Sequence, residues 1–372
     1  MAEEVRNRKV VLKRYVTGYP TEDDMEVVDG TIHLAVPAGL AVPAGLTAPA
    51  VLVKNLYLSC DAWMRGRMSK RDDVTTVVND FVLGEASYFL SKVVESTHTD
   101  YQAGDLVWGM VGWEEYTVIT HPSWLVKIQH TELPLSYYTG VLALEFVISV
   151  VSPNDVAGMS GLTAYAGFFD VCKPKPGEAV FVSAASGAVG QLVGQLAKLA
   201  GCHVVGSVGS DDKALLLKDK LGFDDTINYK SEPDLGASLR LRFPDGIDVY
   251  FDNVGGETLD AALPQMRLRG RVAVCGMVSQ YNLDDPGEGV RMRNLPWLVT
   301  RRVRMEGFNV ADYLADEEYY RRFEEAMAGY LRDGRVTYLE DVVEGLESAP
   351  AALVGIFRGR NVGRQLIVVS RE

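Results

Sequence analysis

The residues with the clearest chemical consequence are Val180-Phe181-Val182-Ser183-Ala184-Ala185-Ser186-Gly187-Ala188-Val189-Gly190. An apolar, β-branched segment breaks here at small residues, and Gln191-Leu192-Val193-Gly194-Gln195-Leu196-Ala197-Lys198-Leu199-Ala200 then reads as a helix. Two glycines at a strand-to-helix turn, Gly187 and Gly190, let the backbone approach a pyrophosphate. The phosphate charge would rest on the free N–H groups and positive end of the helix. A second strand, Cys202-His203-Val204-Val205-Gly206-Ser207-Val208, follows at once, which is the βαβ context a dinucleotide fingerprint requires. Outside that context the glycines would carry little, because glycine-rich turns join strands and helices in many folds.

Beyond the second strand the chain reads Gly206-Ser207-Val208-Gly209-Ser210, where an NAD-binding chain would place a carboxylate on the ribose hydroxyls. Asp211 and Asp212 come later and can equally begin the next helix. NADPH is therefore expected over NADH. Four cysteines (Cys60, Cys172, Cys202 and Cys275) lie far apart, and five histidines (His33, His98, His121, His130 and His203) show no metal-ligand spacing. No metal is expected, and the cysteine pattern suits a reducing cytoplasm.

A net charge of −13 argues against nucleic acid or an anionic membrane as the main partner, though a local positive site for an anionic cofactor is still possible. The start of the chain, Met1-Ala2-Glu3-Glu4-Val5-Arg6-Asn7-Arg8-Lys9, is charged and lacks a signal-peptide core. Every long apolar run is broken by Asp, Glu, Lys or Pro.

The elements that must position this chemistry fall into two patterns. Up to about Thr131 the chain offers short strands between Gly, Pro and Asp breaks, around Val10, Val51, Val93, Val107 and Tyr116. From Ala179 to Phe308 strands alternate with helices, as in a parallel sheet. Strands are expected over 224–228, 247–252, 271–275 and 303–308, with helices over 213–221, 255–266 and 313–332. The tail after Arg335 reads as short strands ending Arg364-Gln365-Leu366-Ile367-Val368-Val369. The predicted architecture is an α/β chain, with a β-rich domain built from both chain ends and a doubly wound parallel-sheet (Rossmann) domain inserted. The bounds are 1–135 with 312–372, and 136–311. Two stretches stand apart: the tandem repeat over 35–46, read as a surface loop, and the mostly apolar segment 143–157.

The ordered motifs of the chain resemble those of a known family. They are Lys54-Asn55-Leu56-Tyr57-Leu58-Ser59-Cys60-Asp61, Met64-Arg65-Gly66-Arg67-Met68, Gly161-Leu162-Thr163-Ala164-Tyr165-Ala166-Gly167, the turn at 184–190, Phe251-Asp252-Asn253-Val254-Gly255-Gly256, Cys275-Gly276-Met277-Val278-Ser279-Gln280-Tyr281-Asn282, and Gly359-Arg360-Asn361-Val362-Gly363. Over nearly its whole length the chain is similar to the zinc-independent medium-chain dehydrogenase/reductases. The closest branch is the plant-type NADPH-dependent double-bond (2-alkenal) reductases related to prostaglandin reductase. The resemblance implies a GroES-like fold for the β-rich domain, NADP(H) as cofactor, and a homodimer formed through the Rossmann domains. In such relatives Tyr-Tyr-Thr-Gly leads almost directly into Gly-Met-x-Gly. Here residues 143–157 intervene beside the expected cleft.

The resemblance also implies site residues. Ala184, Ala185, Ser186, Gly187, Ala188, Val189 and Gly190 would hold the pyrophosphate, with Gly209, Lys213 and Tyr229 around the 2′-phosphate end. Asn253, Cys275, Gly276, Met277, Ser279 and Tyr281 would surround the nicotinamide, and Phe308, Asn309, Val310, Asn361 and Gly363 would line the cofactor from other segments. Ala62 and Trp63 replace the family's Pro-Tyr pair beside cofactor and substrate. Taken alone, Lys213 would be a solvated helix lysine, and Tyr281-Asn282 a simple turn.

Tyr281 is the expected catalytic residue. Its phenol O–H would stabilise the enolate formed when hydride reaches the β-carbon of an enal or enone, and a hydrogen bond needs no ionisation. Zinc relatives polarise an alcohol with a Lewis acid. Without one, conjugate reduction of a small-molecule C=C–C=O group fits better. The alternatives are a zeta-crystallin-like quinone reductase and a catalytically silent NADPH-binding scaffold.

Overall fold

The short apolar runs of the first third of the chain, interrupted by turn residues, pair as antiparallel β-structure. β1 (Glu4–Arg6) pairs with β4 (Thr31–His33), and β2 (Lys9–Leu12) with β3 (Met25–Val28). β5 (Val51–Ser59), β6 (Ser87–Ser96), β7 (Leu106–Val111) and β9 (Val126–Lys127) form one antiparallel path, while β8 (Tyr116–Ile119) pairs with β5. A single turn of helix, α1 (Met64–Arg67), follows β5. The computed structural model describes residues 3–36, 49–70, 87–122, 125–128, 132–142, 159–284, 289, 291–314 and 316–371. Segment 143–157, and most of the 35–46 repeat, lie outside the described residues.

The apolar strands of the middle segment require cover on both faces, and they find it between helices. α2 (Ser160–Ala166) runs into a wider turn over Gly167–Cys172 and leads to β10 (Ala179–Val182). Then follow α3 (Gly190–Leu199), β11 (His203–Val208), α4 (Asp211–Leu221), β12 (Asp225–Asn228), α5 (Leu235–Arg242), β13 (Ile247–Asp252), α6 (Gly256–Ala262), β14 (Met266–Val274), α7 (Pro296–Arg301) and β15 (Arg304–Gly307). All pairings are parallel, in the order β12-β11-β10-β13-β14-β15. The order reverses beside β10, so the ligand crevice lies at the carboxyl ends of β10 and β13.

The last segment carries α8 (Ala311–Leu314), α9 (Glu317–Arg332), β16 (Glu340–Glu344), α10 (Ala349–Phe357) and β17 (Arg364–Val368). β17 runs antiparallel to β5, with Leu366 opposite Ser59, so the chain's two ends share one seven-stranded sheet. Two expectations for this region are corrected. The helix over 313–332 is divided into α8 and α9, with the Asp316 side chain capping α9 through the Tyr319 N–H. The tail is not only strands, because α10 is a buried apolar helix. Its Ala349, Leu353 and Val354 pack into the same core as β5 and β17, and that tertiary burial overrides the β-like composition.

One core fills the β-rich sheet, and another lies on one face of the parallel sheet. The largest joins the two halves: Tyr88 and Trp108 of the β-rich sheet share it with Leu162, Leu192 and Phe251, and with Phe323 and Met327 of α9. Among the described residues no helix is long and apolar enough to cross a membrane.

Candidate functional site

The turn after β10 is set by crowding. Ala184 takes a left-handed φ of 47°, a costly conformation for a residue with a Cβ. Gly190 then passes so close that a Cβ on it would stand 2.4 Å from the Ala184 carbonyl oxygen and 2.8 Å from the Ala185 Cα, so only glycine lets α3 begin there. No side chain caps the helix; the N–H groups of Gln191 and Leu192 donate to the Gly187 and Val189 carbonyls at 3.1 and 3.0 Å, while the positive end of the helix faces the turn.

The C-terminal segment presses on this turn. The Gly363 N–H donates to the Ser186 carbonyl at 2.7 Å, and Gly187 bridges Gly363 as in a parallel pair. The buried amides of α3 complete the seam. Gln191 donates to the Leu339 carbonyl (3.0 Å) and accepts from the Leu339 N–H (2.8 Å), and Gln195 makes the equivalent pair with Thr337 at 2.8 and 2.7 Å. Sequence reasoning missed both glutamines, since on a helix they read as surface residues.

After β11, Ser210 caps α4 and places Lys213 on its first turn. The Lys213 ammonium donates to the carbonyls of Gly359 and Asn361, each at 2.7 Å, which uses two of its three donors. Burial lowers its pKa, and Lys230 adds to that shift. The half-exposed Tyr229 ring stands over Gly209 with Lys230 beside it. Gly209, Lys213, Tyr229 and Asn361 are thus brought together. Lys230 is a second cation that the sequence reading passed over, although it adjoins Tyr229. Asp211 and Asp212 lie in the first turn of α4, and Asp211 accepts from the Asn228 amide.

Where β10 and β13 end, a buried hydroxyl joins them. Ser183 Oγ accepts from the Asn253 N–H at 2.9 Å, and the Asn253 amide donates to the Ser183 carbonyl at 2.8 Å. Asp252, fully buried, accepts on one oxygen from the Tyr250 phenol and from the N–H groups of Val254 and Gly255, at 2.6–3.0 Å. The loop 275–281 leaves β14 and folds over this end, with Ser279 donating to the Val254 carbonyl at 2.6 Å. Gly276 and Met277 lie beside the Tyr281 phenol, whose oxygen accepts from the Met277 N–H at 3.4 Å. Burial raises the Tyr281 pKa, so the phenol keeps its proton at neutral pH and has a donor to offer. Its ring is 37% exposed.

The opposite wall follows β5. Asp61 pairs with Arg364 of β17 in a buried ion pair, and Arg364 also donates to the Thr139 carbonyl at 2.9 Å. Burial opposes the guanidinium charge, but Asp61 holds it above its ordinary pKa. The pair fixes the start of the Ala62–Trp63 turn, and Trp63 packs against two of the cores.

The triplet at 308–310 follows β15 and packs against the turn Gly167–Cys172 and β13. The Phe308 ring lies over Gly167 and edge-on to Phe251, Val310 is buried, and the Asn309 side chain accepts from the Ala311 N–H.

Among the described residues no group of three or more His, Cys, Asp or Glu is placed to hold a metal ion. His203 opens β11 at the surface, with Nδ1 3.5 Å from Asp224.

A family profile described as "Zinc-binding dehydrogenase" matches residues 188–328, and one described as "N-terminal domain of oxidoreductase" matches residues 8–128. The chain is 55% identical, over the full length of both proteins, to the NADP(+)-dependent 2-alkenal reductase of Nicotiana tabacum. It is 49% identical to the (+)-pulegone reductase of Mentha piperita, covering 99% of this chain and 100% of that one. The crystal structure of CurA from Vibrio vulnificus in complex with NADPH superposes with a TM-score of 0.82 at 31% identity, over 98% of this chain and 100% of that one. The protein belongs to the medium-chain dehydrogenase/reductase family, in the group of NADP-dependent 2-alkenal reductases related to prostaglandin reductase.

Proposed function

We propose that the protein reduces the C=C bond of α,β-unsaturated aldehydes and ketones, using NADPH and delivering hydride to the β-carbon. The observation that carries this reading is the position of the Tyr281 phenol at the carboxyl ends of the parallel strands, its oxygen 3.4 Å from the Met277 N–H and its pKa raised by burial. The named activities of the tobacco and mint relatives support the same substrate class.

The residues present fit a phosphorylated dinucleotide. The turn 184–190 offers close backbone approach, and Lys213 and Lys230 supply local positive charge in an acidic chain. NADPH, when bound, supplies the hydride. As the C=C electrons move toward the carbonyl, negative charge gathers on oxygen, and Tyr281 donates its hydrogen bond there. The α-carbon takes its proton from water. Ala62 and Trp63 form the wall facing this site. The division of labour we propose is cofactor binding by 136–311 and substrate enclosure by 1–135 with 312–372.

Turnover of a 2-alkenal with NADPH should yield the saturated aldehyde, identified by mass spectrometry. Faster turnover of a quinone would replace this reading, and binding of NADPH without turnover would mark a silent scaffold. Tyr281→Phe should lower kcat about tenfold or more while NADPH affinity holds, because the bond strengthens only as the enolate forms. The parent rate in that variant would leave Tyr281 as a pocket wall. Since its pKa is raised, the donor should survive up to at least about pH 10.

Cofactor choice rests on Lys213. Lys213→Ala should raise the KM for NADPH about ten- to a hundredfold, as expected for a lost charged hydrogen bond. The KM for NADH should scarcely change. Equal losses with both cofactors would reduce Lys213 to a clamp on Gly359 and Asn361.

One matching profile is described by zinc, so metal use is a separate proposal. We propose that catalysis is zinc-independent. Burial raises the thiol pKa of Cys172 and Cys275 to about 12, disfavouring the thiolate that zinc requires. Prolonged chelation should leave the rate unchanged; loss of activity together with a stoichiometric zinc would overturn this.

A homodimer through β15 is also proposed. This strand ends the parallel sheet with all four residues exposed, beside the exposed Val299 and Leu268. Sedimentation should give twice the chain mass, and a monomer at micromolar concentration would refute it.

A further inference from the structure

Arg65, on α1, is 3% exposed and reaches from the β-rich half to the segment just after the loop 275–281. Its guanidinium is shared among four acceptors. Nε donates to the Asn282 side-chain oxygen at 3.1 Å and to the Gly18 carbonyl at 3.2 Å. Nη2 donates to the carbonyls of Gly18 and Val16, at 2.9 and 3.2 Å, and Nη1 to the Ser69 hydroxyl at 2.5 Å. These acceptors among the described residues are all uncharged. A buried guanidinium with no counter-ion in its hydrogen-bond shell is held only if that shell is complete, so its geometry is narrowly defined.

Asn282 is the residue after Tyr281, and it is itself buried, 6% exposed. It meets Arg65 across 217 positions of sequence. A second contact secures the same junction. Gly18 has a φ of +70°, and a Cβ there would stand 2.4 Å from an Asp284 carboxylate oxygen, so the loop after Tyr281 closes down on a glycine. By contrast, among the described residues the Tyr281 phenol has only the 3.4 Å hydrogen bond from the Met277 N–H of its own loop. A donor that must meet an oxygen to within about half an ångström needs a firmer support than that.

We infer that Arg65, acting through Asn282, is a positioning residue that sets the Tyr281 phenol against the carbonyl oxygen of the substrate. This rests on the reading of Tyr281 as the enolate donor. The support comes from the β-rich half, so the catalytic loop of the parallel-sheet half reaches its working position only when the two halves are closed on each other.

The test is a double-mutant cycle on the full-length enzyme, with 2-hexenal and NADPH. Asn282→Ala should lower kcat about tenfold, as a displaced catalytic group does, with the NADPH dissociation constant unchanged in fluorescence titration. Asn282→Asp keeps an oxygen acceptor opposite the guanidinium and should recover most of the rate. In the Tyr281→Phe background, Asn282→Ala should cost nothing further, because a support without its donor has no effect. Arg65→Lys keeps the charge but loses the fork, and should match Asn282→Ala; should it fail to fold, the Asn282 cycle decides alone. If Asn282→Ala turns over at the parent rate, or if the two losses multiply, the inference is overturned while Tyr281 keeps its role. If Tyr281→Phe itself matches the parent, both are overturned.

Discussion

The structure depends on the return of the C-terminal segment to the turn after β10. At Thr337–Leu339 and again at Gly359–Gly363, on either side of β16 and α10, the chain lies against the parallel-sheet half through backbone groups: the Gly363 N–H on Ser186, the Leu339 and Thr337 peptides on Gln191 and Gln195, and the Gly359 and Asn361 carbonyls on Lys213. It then enters the β-rich sheet as β17 beside β5. Every buried peptide group needs a partner, and here the partners belong to the other half. The seam therefore holds the crevice at a defined width, and the site cannot be assembled from either half alone.

A second constraint is electrostatic. A chain of net charge −13 repels an anion at long range, so its affinity for one must come from short-range groups. Lys213 and Lys230, together with the uncapped start of α3, concentrate that positive potential at one end of the crevice. The other end is different: Ser183, Asp252 and Asn253 are joined in a buried hydrogen-bond network, and the Tyr281 phenol stands beside the Met277 N–H. The cationic groups and the neutral phenol are thereby kept apart in the fold.

The buried ionic groups serve position more than stability. Asp61 with Arg364 fixes the turn carrying Ala62 and Trp63, and Arg65 fixes the segment after Tyr281. A buried ion pair adds little net stability once desolvation is counted, but losing one partner costs several kcal/mol. Such groups tolerate only one arrangement of their surroundings, which is what a site assembled from distant segments requires.

The amino-acid sequence by itself determined the parallel sheet, because its central strands β10, β11 and β13 are largely apolar and its turn glycines sit at strand ends. β13 falls on the expected residues 247–252, and α3 and α4 fall within two residues of expectation. Local chemistry was enough there, since a strand–turn–helix unit is specified by neighbours in the chain. It also marked Gly190, Lys213, Asn253, Tyr281 and Asn361 as residues to watch, through a resemblance in ordered motifs. Only the tertiary structure decided which of these meet: Lys213 with the carbonyls of residues 359 and 361, Phe308 turned into the core, Arg65 beneath Asn282, and the glutamines of α3 on an extended segment some 140 residues away. α10 escaped the reading for the same reason, since an apolar segment becomes helix or strand according to what covers it. Contacts across long sequence separations leave no periodicity behind, so only the folded chain reveals them.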